Sequence, residues 1–176
     1  MKKTLKTYDV LIIGAGPAGA NAAISYKNLN PSLTVGLVDK AIFPRDKSCG
    51  DAIGPGVISA LKRFNNEHIL DGEPQVVSTT LYGPDNIGIQ NYIPEVKNKE
   101  DSIVYVIPRL DLDNRILNLA KESGVDVYEG YSFVDFTSNE DRSLNVQIKN
   151  DNQNLELLTK ILVGADGANS RIRKKL

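Results

Sequence analysis

Cysteine and histidine are nearly absent from this sequence, whose 176 residues contain one of each, Cys49 and His68. A single cysteine excludes a disulfide within the chain and is typical of proteins that work in a reducing cytoplasm. His68 lies near a predicted helix end, so we interpret it as an exposed or capping side chain rather than a catalytic one. No metal site is predicted.

Excess charge and long apolar runs are missing as well. A formal net charge of −1 gives no basic field that would attract nucleic acid. No apolar stretch reaches the roughly 18 residues that a membrane-spanning helix needs. Lysines precede the first apolar run, but Tyr8-Asp9 stands between them and that run, so we do not interpret the run as the core of a signal peptide. We therefore expect a cytoplasmic protein with an ordinary globular core.

The most informative segment joins an apolar strand, Val10–Ile13, to the sequence GAGPAG at Gly14–Gly19 and then to an alanine-rich helix. In dinucleotide-binding proteins the first glycine permits a tight turn, and the second lets the backbone approach the pyrophosphate. The third lets the helix pack closely on the strand. The helix N-terminus adds free N–H groups and the positive end of its dipole. The segment therefore predicts a dinucleotide site.

An acidic residue completes this pattern. A second apolar strand, Leu33–Val38, ends at Asp39, which lies about 20 residues beyond Gly19. An acidic side chain at that distance accepts hydrogen bonds from the ribose hydroxyls. Because a carboxylate there repels a 2′-phosphate, the sequence favours FAD or NAD over NADP.

Hydrophobic periodicity predicts an α/β fold for the rest of the chain. A loop rich in glycine and proline, 41–56, leads to a helix that starts near Pro55, and another helix covers Arg109–Ser123. Strands are predicted at Val76–Tyr82, Ile87–Tyr92, Ser102–Ile107, Val125–Tyr128, Ser132–Phe136, Leu144–Lys149 and Leu155–Leu162. We expect the last three strands to form an antiparallel meander laid over a parallel sheet, followed by a helical tail, Arg171–Leu176.

Four sequence blocks carry a family resemblance: GAGPAG at 14–19, FPRDKSCGD at 43–51, PRLD at 108–111 and GADGANSR at 164–171. Together they resemble the geranylgeranyl reductase family, with its menaquinone-reductase-like members, among FAD-dependent oxidoreductases of the p-hydroxybenzoate hydroxylase-type fold. The second block is the one most specific to the reductases. The resemblance implies a Rossmann-like FAD-binding domain over residues 1–176, with 72–107 as an inserted β-rich segment of the substrate domain.

The resemblance also implies a set of residues that contact FAD, namely Gly14, Gly16, Pro17, Ala18, Gly19, Asp39, Lys40, Arg45, Cys49, Gly50, Ala52, Arg109, Phe133, Asp166 and Gly167. In the family, the arginine corresponding to Arg109 binds FAD near its ribitol and phosphates. The loop corresponding to Cys49–Ala52 runs beside the flavin. Asp166 corresponds to a second fingerprint that places FAD and the nicotinamide nucleotide, and the backbone at Phe133 aligns with a strand that meets the adenine.

Plainer interpretations of three of these residues stay open. Arg109 also fits a side chain that caps its own helix, and Arg45 also fits a solvated loop charge. Cys49 fits a small buried filler as well as it fits a polar contact or proton-relay element near the flavin. Cys49 is the one catalytic candidate that the sequence offers.

The sequence departs from the family pattern in several places. Ala52-Ile53 replaces a common Gly-Leu, and Asp39 replaces the more usual Glu. The family's later half, which holds a further Gly-Asp motif and most of the prenyl pocket, has no counterpart here. Since a predicted helix has barely started at Leu176, the chain resembles the N-terminal portion of the family's proteins.

The resemblance implies a reaction in which a hydride passes from NAD(P)H or another donor to the flavin and then to a prenyl double bond. The implied substrate is an isoprenoid on a lipid, quinone or pigment precursor, which would bring the protein to a membrane surface through the absent half. One alternative is an aromatic monooxygenase or halogenase of the same fold. Another is a nucleotide-binding fragment without turnover, and we expect the chain by itself to lack reductase activity.

Overall fold

A computed structural model of the protein describes residues 5–76, 78–92 and 104–176. Its helices and strands are, in chain order, β1 (Lys6–Ile13), α1 (Pro17–Leu29), β2 (Val35–Asp39), β3 (Ala52–Ile53), α2 (Pro55–Lys62), β4 (Ser78–Tyr82), β5 (Gly88–Tyr92), β6 (Tyr105–Val106), α3 (Arg109–Glu122), β7 (Asp126–Glu129), β8 (Ser132–Ser138), β9 (Leu144–Lys149) and β10 (Asn154–Gly164). A short 3₁₀ helix covers Glu67–Leu70. Within the described ranges no helix is long and apolar enough to span a lipid bilayer.

The chain divides into two compact units. The first contains the residues up to Arg45 together with Asp113–Leu176, and the second is Asp46–Leu112. The predicted inserted segment, 72–107, falls within the second unit.

A mixed six-stranded sheet in the order β7-β2-β1-β10-β9-β8 forms the first unit. β1 pairs in parallel with β2 on one side and with β10 on the other, and β2 pairs in parallel with β7. Strands of parallel sheets are buried on both faces, which explains why Val10–Ile13 of β1 and Val35–Val38 of β2 contain no polar side chain. Leu11, Ile12 and Leu37 are fully buried. The predicted parallel α/β arrangement is confirmed.

α1 connects β1 to β2 and packs on both strands. Pro17 occupies its first position, where the missing N–H costs no helical hydrogen bond. Two of its buried side chains, Ala20 and Ala23, are small, so the helix lies close to the sheet.

The predicted meander is present, but it does not lie over the parallel strands. β10 is 11 residues long and pairs antiparallel with β9 along one edge and parallel with β1 along the other, and β9 pairs antiparallel with β8. Because β10 has a partner on each side, the meander extends the same sheet instead of forming a second layer. Phe133 and Ile148 of the meander share one core cluster with Tyr8 of β1.

The described residues of the second unit form two short pairs of strands. β4 and β5 form the predicted hairpin, while β3 pairs with β6. The sequence did not indicate β3, which is only two residues long. In α2, Ile58 and Leu61 are buried, whereas Val57 is exposed. Residues 77, 102 and 103 of the predicted strands lie outside the described residues.

The predicted helical tail is wrong. Residues 171–175 form hydrogen-bonded turns, in which the Lys175 N–H donates to the Ile172 carbonyl over 2.9 Å. A helix this short is unfavourable, because the entropy lost in fixing its backbone dihedral angles exceeds the gain from its few helical hydrogen bonds. The Arg171 side chain instead donates to the Phe133 carbonyl of β8, and the Arg173 side chain donates to the Ala168 carbonyl in the preceding turn.

Tyr8 supplies a test of this core. Its side chain is 1% exposed, and its hydroxyl lies 2.7 Å from the Tyr128 hydroxyl and 3.2 Å from Oδ2 of Asp126. Burial, and then the neighbouring Tyr128, raise the pKa of Tyr8 far above its usual range. The folded protein therefore keeps this tyrosine protonated in alkali, whereas the unfolded chain loses the proton above about pH 10.

Tyr8→Phe is expected to lower the free energy of unfolding by about 1 kcal/mol near pH 8, through the lost hydrogen bonds. The difference from wild type should shrink above about pH 10, because only the wild type loses stability as its unfolded tyrosine ionises. Urea denaturation of both proteins between pH 8 and 11 measures this. A difference in the free energy of unfolding that stays constant from about pH 8 to 11 would contradict the raised pKa of Tyr8.

Candidate functional site

Two glycines are required by the backbone geometry of the turn between β1 and α1. Gly14 has φ of +104°, and a Cβ atom there would lie 2.3 Å from the carbonyl oxygen of Ala165, just after β10. A Cβ atom on Gly19 would lie 1.7 Å from the Gly14 carbonyl oxygen. Both distances are far inside van der Waals contact. The tight turn and the close helix packing expected of these glycines are therefore present.

Gly16 is surrounded differently. Its φ is −65°, which any residue adopts, and the nearest heavy atom to a Cβ position is Nη2 of Arg45 at an ordinary 3.5 Å. The fold therefore does not require glycine here. The N–H groups of Ala18 and Gly19, in the first turn of α1, have no acceptor within the helix, and the helix dipole is positive at this end. The open turn suits an anion that approaches the backbone.

Asp39 ties the glycine turn to the end of β2. Its Oδ2 accepts the Ala15 N–H at 2.7 Å and its Oδ1 accepts the Ala41 N–H at 2.8 Å. Each carboxylate oxygen keeps a second lone pair, so acceptance from a ribose hydroxyl stays a prediction. The next residue, Lys40, is exposed.

Asp166 follows β10, at the carboxyl edge where ligands of open α/β sheets bind. Its Oδ2 accepts the Arg171 N–H at 2.7 Å, and its Oδ1 is buried with no hydrogen-bond partner among the described residues. Burial acts to raise the pKa of this carboxyl, but bonds from the Ser170 hydroxyl and the Arg171 amide outweigh it and hold the pKa below its usual value. Asp166 is therefore a carboxylate with an unused buried acceptor. Gly167 beside it has φ of +84° and open space around its Cα.

The Arg45 guanidinium is held beside Gly16. Its Nη1 lies 3.3 Å from Oδ2 of Asp113, and its Cζ lies 4.9 Å from the centre of the Phe43 ring. Its side chain is 21% exposed, so Arg45 is not the freely solvated loop charge that the sequence left open.

Phe133 is buried, and its carbonyl oxygen accepts a bond from Nη1 of Arg171 at 3.3 Å. The register of β8 against β9 shifts between Phe133 and Asp135, as at a bulge. A bulge leaves backbone groups unpaired, which is compatible with the predicted contact to an adenine. That contact stays a prediction.

In the second unit, Cys49 and Arg109 interact. The backbone amide of Asp51 lowers the pKa of the Cys49 thiol, and the Arg109 side chain lowers it further. The Asp51 carboxylate in turn accepts the Arg109 backbone N–H at 3.2 Å. Since Cys49 is exposed, its interpretation as a buried filler is wrong. Gly50 has open space at its Cβ position, and Ala52 lies in β3.

The sequence analysis missed two residues that shape the first unit's site, Asp113 and Glu129. Asp113 lies on the buried face of α3. The signal in the sequence was a carboxylate at helical spacing from the apolar residues Ile116 and Leu117, which indicates a buried acidic side chain. Glu129 ends β7 as Asp39 ends β2, and the two residues pair in register.

The parallel strands, the glycine turn and the acid at the end of β2 define a dinucleotide-binding α/β protein. Residues 7–176 match the FAD binding domain family, and the chain belongs to that family.

Several relatives carry reductase names. The menaquinone reductase of Mycolicibacterium smegmatis is 30% identical over 96% of this chain and 39% of its own length. The digeranylgeranylglycerophospholipid reductase of Picrophilus torridus is 26% identical over 93% of this chain and 40% of its own length. The chain thus spans about two fifths of these relatives. The crystal structure of the p-nitrophenol 4-monooxygenase PnpA from Pseudomonas putida shares the fold, with a TM-score of 0.84 and 15% identity over 97% of this chain and 44% of that one.

The residues of the first unit fit FAD. The open approach to Gly16 and the first-turn amides of α1, which have no acceptor within the helix, suit its diphosphate. The unused buried oxygen of Asp166 suits a hydroxyl donor.

The contrast between Gly19 and Gly16 is testable by stability alone. Gly19→Ala is expected to lower the free energy of unfolding by about 2–4 kcal/mol, because its methyl group would overlap the Gly14 carbonyl. Gly16→Ala, the matched change three residues away, should cost no more than about 1 kcal/mol. Chemical denaturation of both variants without ligand measures this, and equal losses would contradict the steric assignment.

Proposed function

We propose that the protein is an FAD-dependent reductase of prenyl double bonds, of the geranylgeranyl reductase type. The menaquinone reductase and the digeranylgeranylglycerophospholipid reductase described above align with nearly the whole chain, and the molecules in their names carry isoprenoid chains. The FPRDKSCGD block at 43–51, which contains Cys49 and resembles the reductases, supports the same assignment.

Bound FAD would supply hydride chemistry, taking a hydride from a donor such as NAD(P)H and delivering one to a carbon of the C=C bond while a proton adds to the other carbon. The chain's own residues bind and orient the cofactor in this proposal. The turn from Gly14 to Gly19, with Pro17 and Ala18, takes the diphosphate together with Arg45. Asp39 accepts ribose hydroxyls, with Lys40 beside it. Asp166 and Gly167 form a further polar contact.

For the second unit, the lowered pKa of the Cys49 thiol supports a polar role for this residue. The Arg109 side chain, which helps to lower that pKa, places a positive charge beside the thiol. Contacts of Cys49, Gly50, Ala52 and Arg109 with the flavin stay a prediction from the family resemblance.

We also propose that 72–107 is a β-rich insertion that belongs to a substrate domain. The described part of this segment contains β4, β5 and β6. Of its side chains, Leu81, Ile87 and Ile89 are exposed and apolar, which is compatible with an isoprenoid substrate. A substrate of that kind would place the protein at a membrane surface.

An aromatic monooxygenase or halogenase of the same fold is the alternative enzyme. A shared fold at 15% identity does not favour it over a reductase. Rapid oxygen-dependent oxidation of NAD(P)H with an aromatic substrate would favour the monooxygenase. Binding of FAD without turnover of either substrate class would favour a nucleotide-binding fragment.

The observation that carries the proposal is the open approach to Gly16. Gly16→Ala is expected to weaken FAD binding at least about 10-fold, because its methyl group takes space that the diphosphate needs. Titration of the purified chain with FAD, followed by flavin fluorescence, measures the affinity. Unchanged FAD affinity would refute the role of the turn, and a wild-type chain that binds no FAD would refute the function.

A further inference from the structure

The proposed function gives no role to the buried carboxylate of Asp113. Any role for this residue in cofactor binding rests on the proposed function. Asp113 lies on α3 with its side chain 0% exposed, and it is at helical spacing from the buried Ile116 and Leu117. Carboxylates are almost never fully buried unless a cation or hydrogen-bond donors meet them. Arg45 is such a cation, with Nη1 3.3 Å from Oδ2 of Asp113.

The two arms of the Arg45 guanidinium point to different neighbours. Nη1 meets Asp113, whereas Nη2 is the nearest heavy atom to the Cβ position of Gly16, at 3.5 Å. A guanidinium carries five N–H donors in a planar fork, so the pair with Asp113 leaves donors available on the side of Gly16. The planar fork also matches phosphate oxygens.

The backbone that carries Arg45 is anchored as well. The Phe43 ring lies under the guanidinium, with 4.9 Å between its centre and Cζ. The Phe43 N–H donates to Oε2 of Glu129 at 2.7 Å, and Oε1 of Glu129 is paired with Lys121 at 2.6 Å. The guanidinium is therefore held both through its side chain and through its loop.

We propose that Asp113 is a positioning residue, which holds the Arg45 guanidinium so that its free arm meets the diphosphate of the cofactor at the Gly16 turn. An arginine side chain is long and flexible, and fixing it beforehand removes the ordering that binding would otherwise require. Asp113 itself does not touch the cofactor in this proposal.

A purely electrostatic account gives the opposite expectation. Asp113 is an anion near a site for an anion, so neutralising it would strengthen diphosphate binding if charge alone mattered. The charge of Arg45 does not depend on Asp113, because a guanidinium stays protonated in proteins. Replacing Asp113 with asparagine therefore separates positioning from charge.

The test uses ADP and adenosine, which differ by the diphosphate, as competitors of FAD on the purified chain. Asp113→Asn should weaken ADP binding about 10-fold and leave adenosine binding within about 2-fold. Arg45→Met should do the same. Adding Asp113→Asn to Arg45→Met should weaken ADP binding no further, because Asp113 acts through Arg45. Asp111→Asn, at an exposed aspartate of the same helix, is the matched control.

Any result other than those expected would overturn the positioning role of Asp113. Asp113→Asn that binds ADP as tightly as the wild type, or more tightly, supports the electrostatic account and leaves the proposed function standing. An equal loss of ADP and adenosine binding shows general damage to the fold. A wild-type chain that binds neither FAD nor ADP removes the proposed function as well. Should Asp113→Asn not fold, Asp113→Glu gives the same comparison, because it keeps the charge but displaces the guanidinium by one methylene.

Discussion

The carboxyl edge of the first unit depends on how closely three backbone segments approach one another. The Gly14 N–H donates to the Val38 carbonyl at 2.7 Å, and the Ala165 N–H donates to the Ile13 carbonyl at 2.7 Å. The turn after β1 is thereby bonded to the strand on each side, and no space remains for a Cβ atom at Gly14. This approach places the N-terminus of α1, the end of β2 and the turn after β10 at one edge of the sheet.

The acidic side chains at this edge stabilise loops before they meet any ligand. Asp39 accepts two backbone amides, Glu129 accepts one amide and pairs with a lysine, and Asp166 accepts the amide of Arg171. Each of these carboxylates thus holds a neighbouring loop in place through donors within the protein. The first-turn amides of α1 and the Arg45 guanidinium are the donors that suit an anion at this edge.

The sequence predicted correctly those parts of the fold whose sequence signals lie close together along the chain. β1, the glycine turn, α1 and β2 follow one another, so apolar runs and turn residues identify them together with Asp39. The pair of Arg45 and Asp113 joins residues far apart in the chain, and only the fold brings them together. β3 has two residues, too few to show any periodicity. The tail after Ser170 has a helical composition, but Arg171 binds a carbonyl of β8 and Arg173 binds a carbonyl of the turn that precedes the tail.

The glycine fingerprint combines two constraints that sequence alone does not separate. Gly14 and Gly19 are glycines because backbone atoms occupy their Cβ positions. Gly16 is the N-cap of α1 and makes no side-chain cap, although Ser, Asp or Asn there would satisfy one of the helix amides. Glycine at this position leaves those amides without an acceptor from the cap. That choice stabilises the protein only if another acceptor binds there, and a diphosphate held against the backbone is such an acceptor.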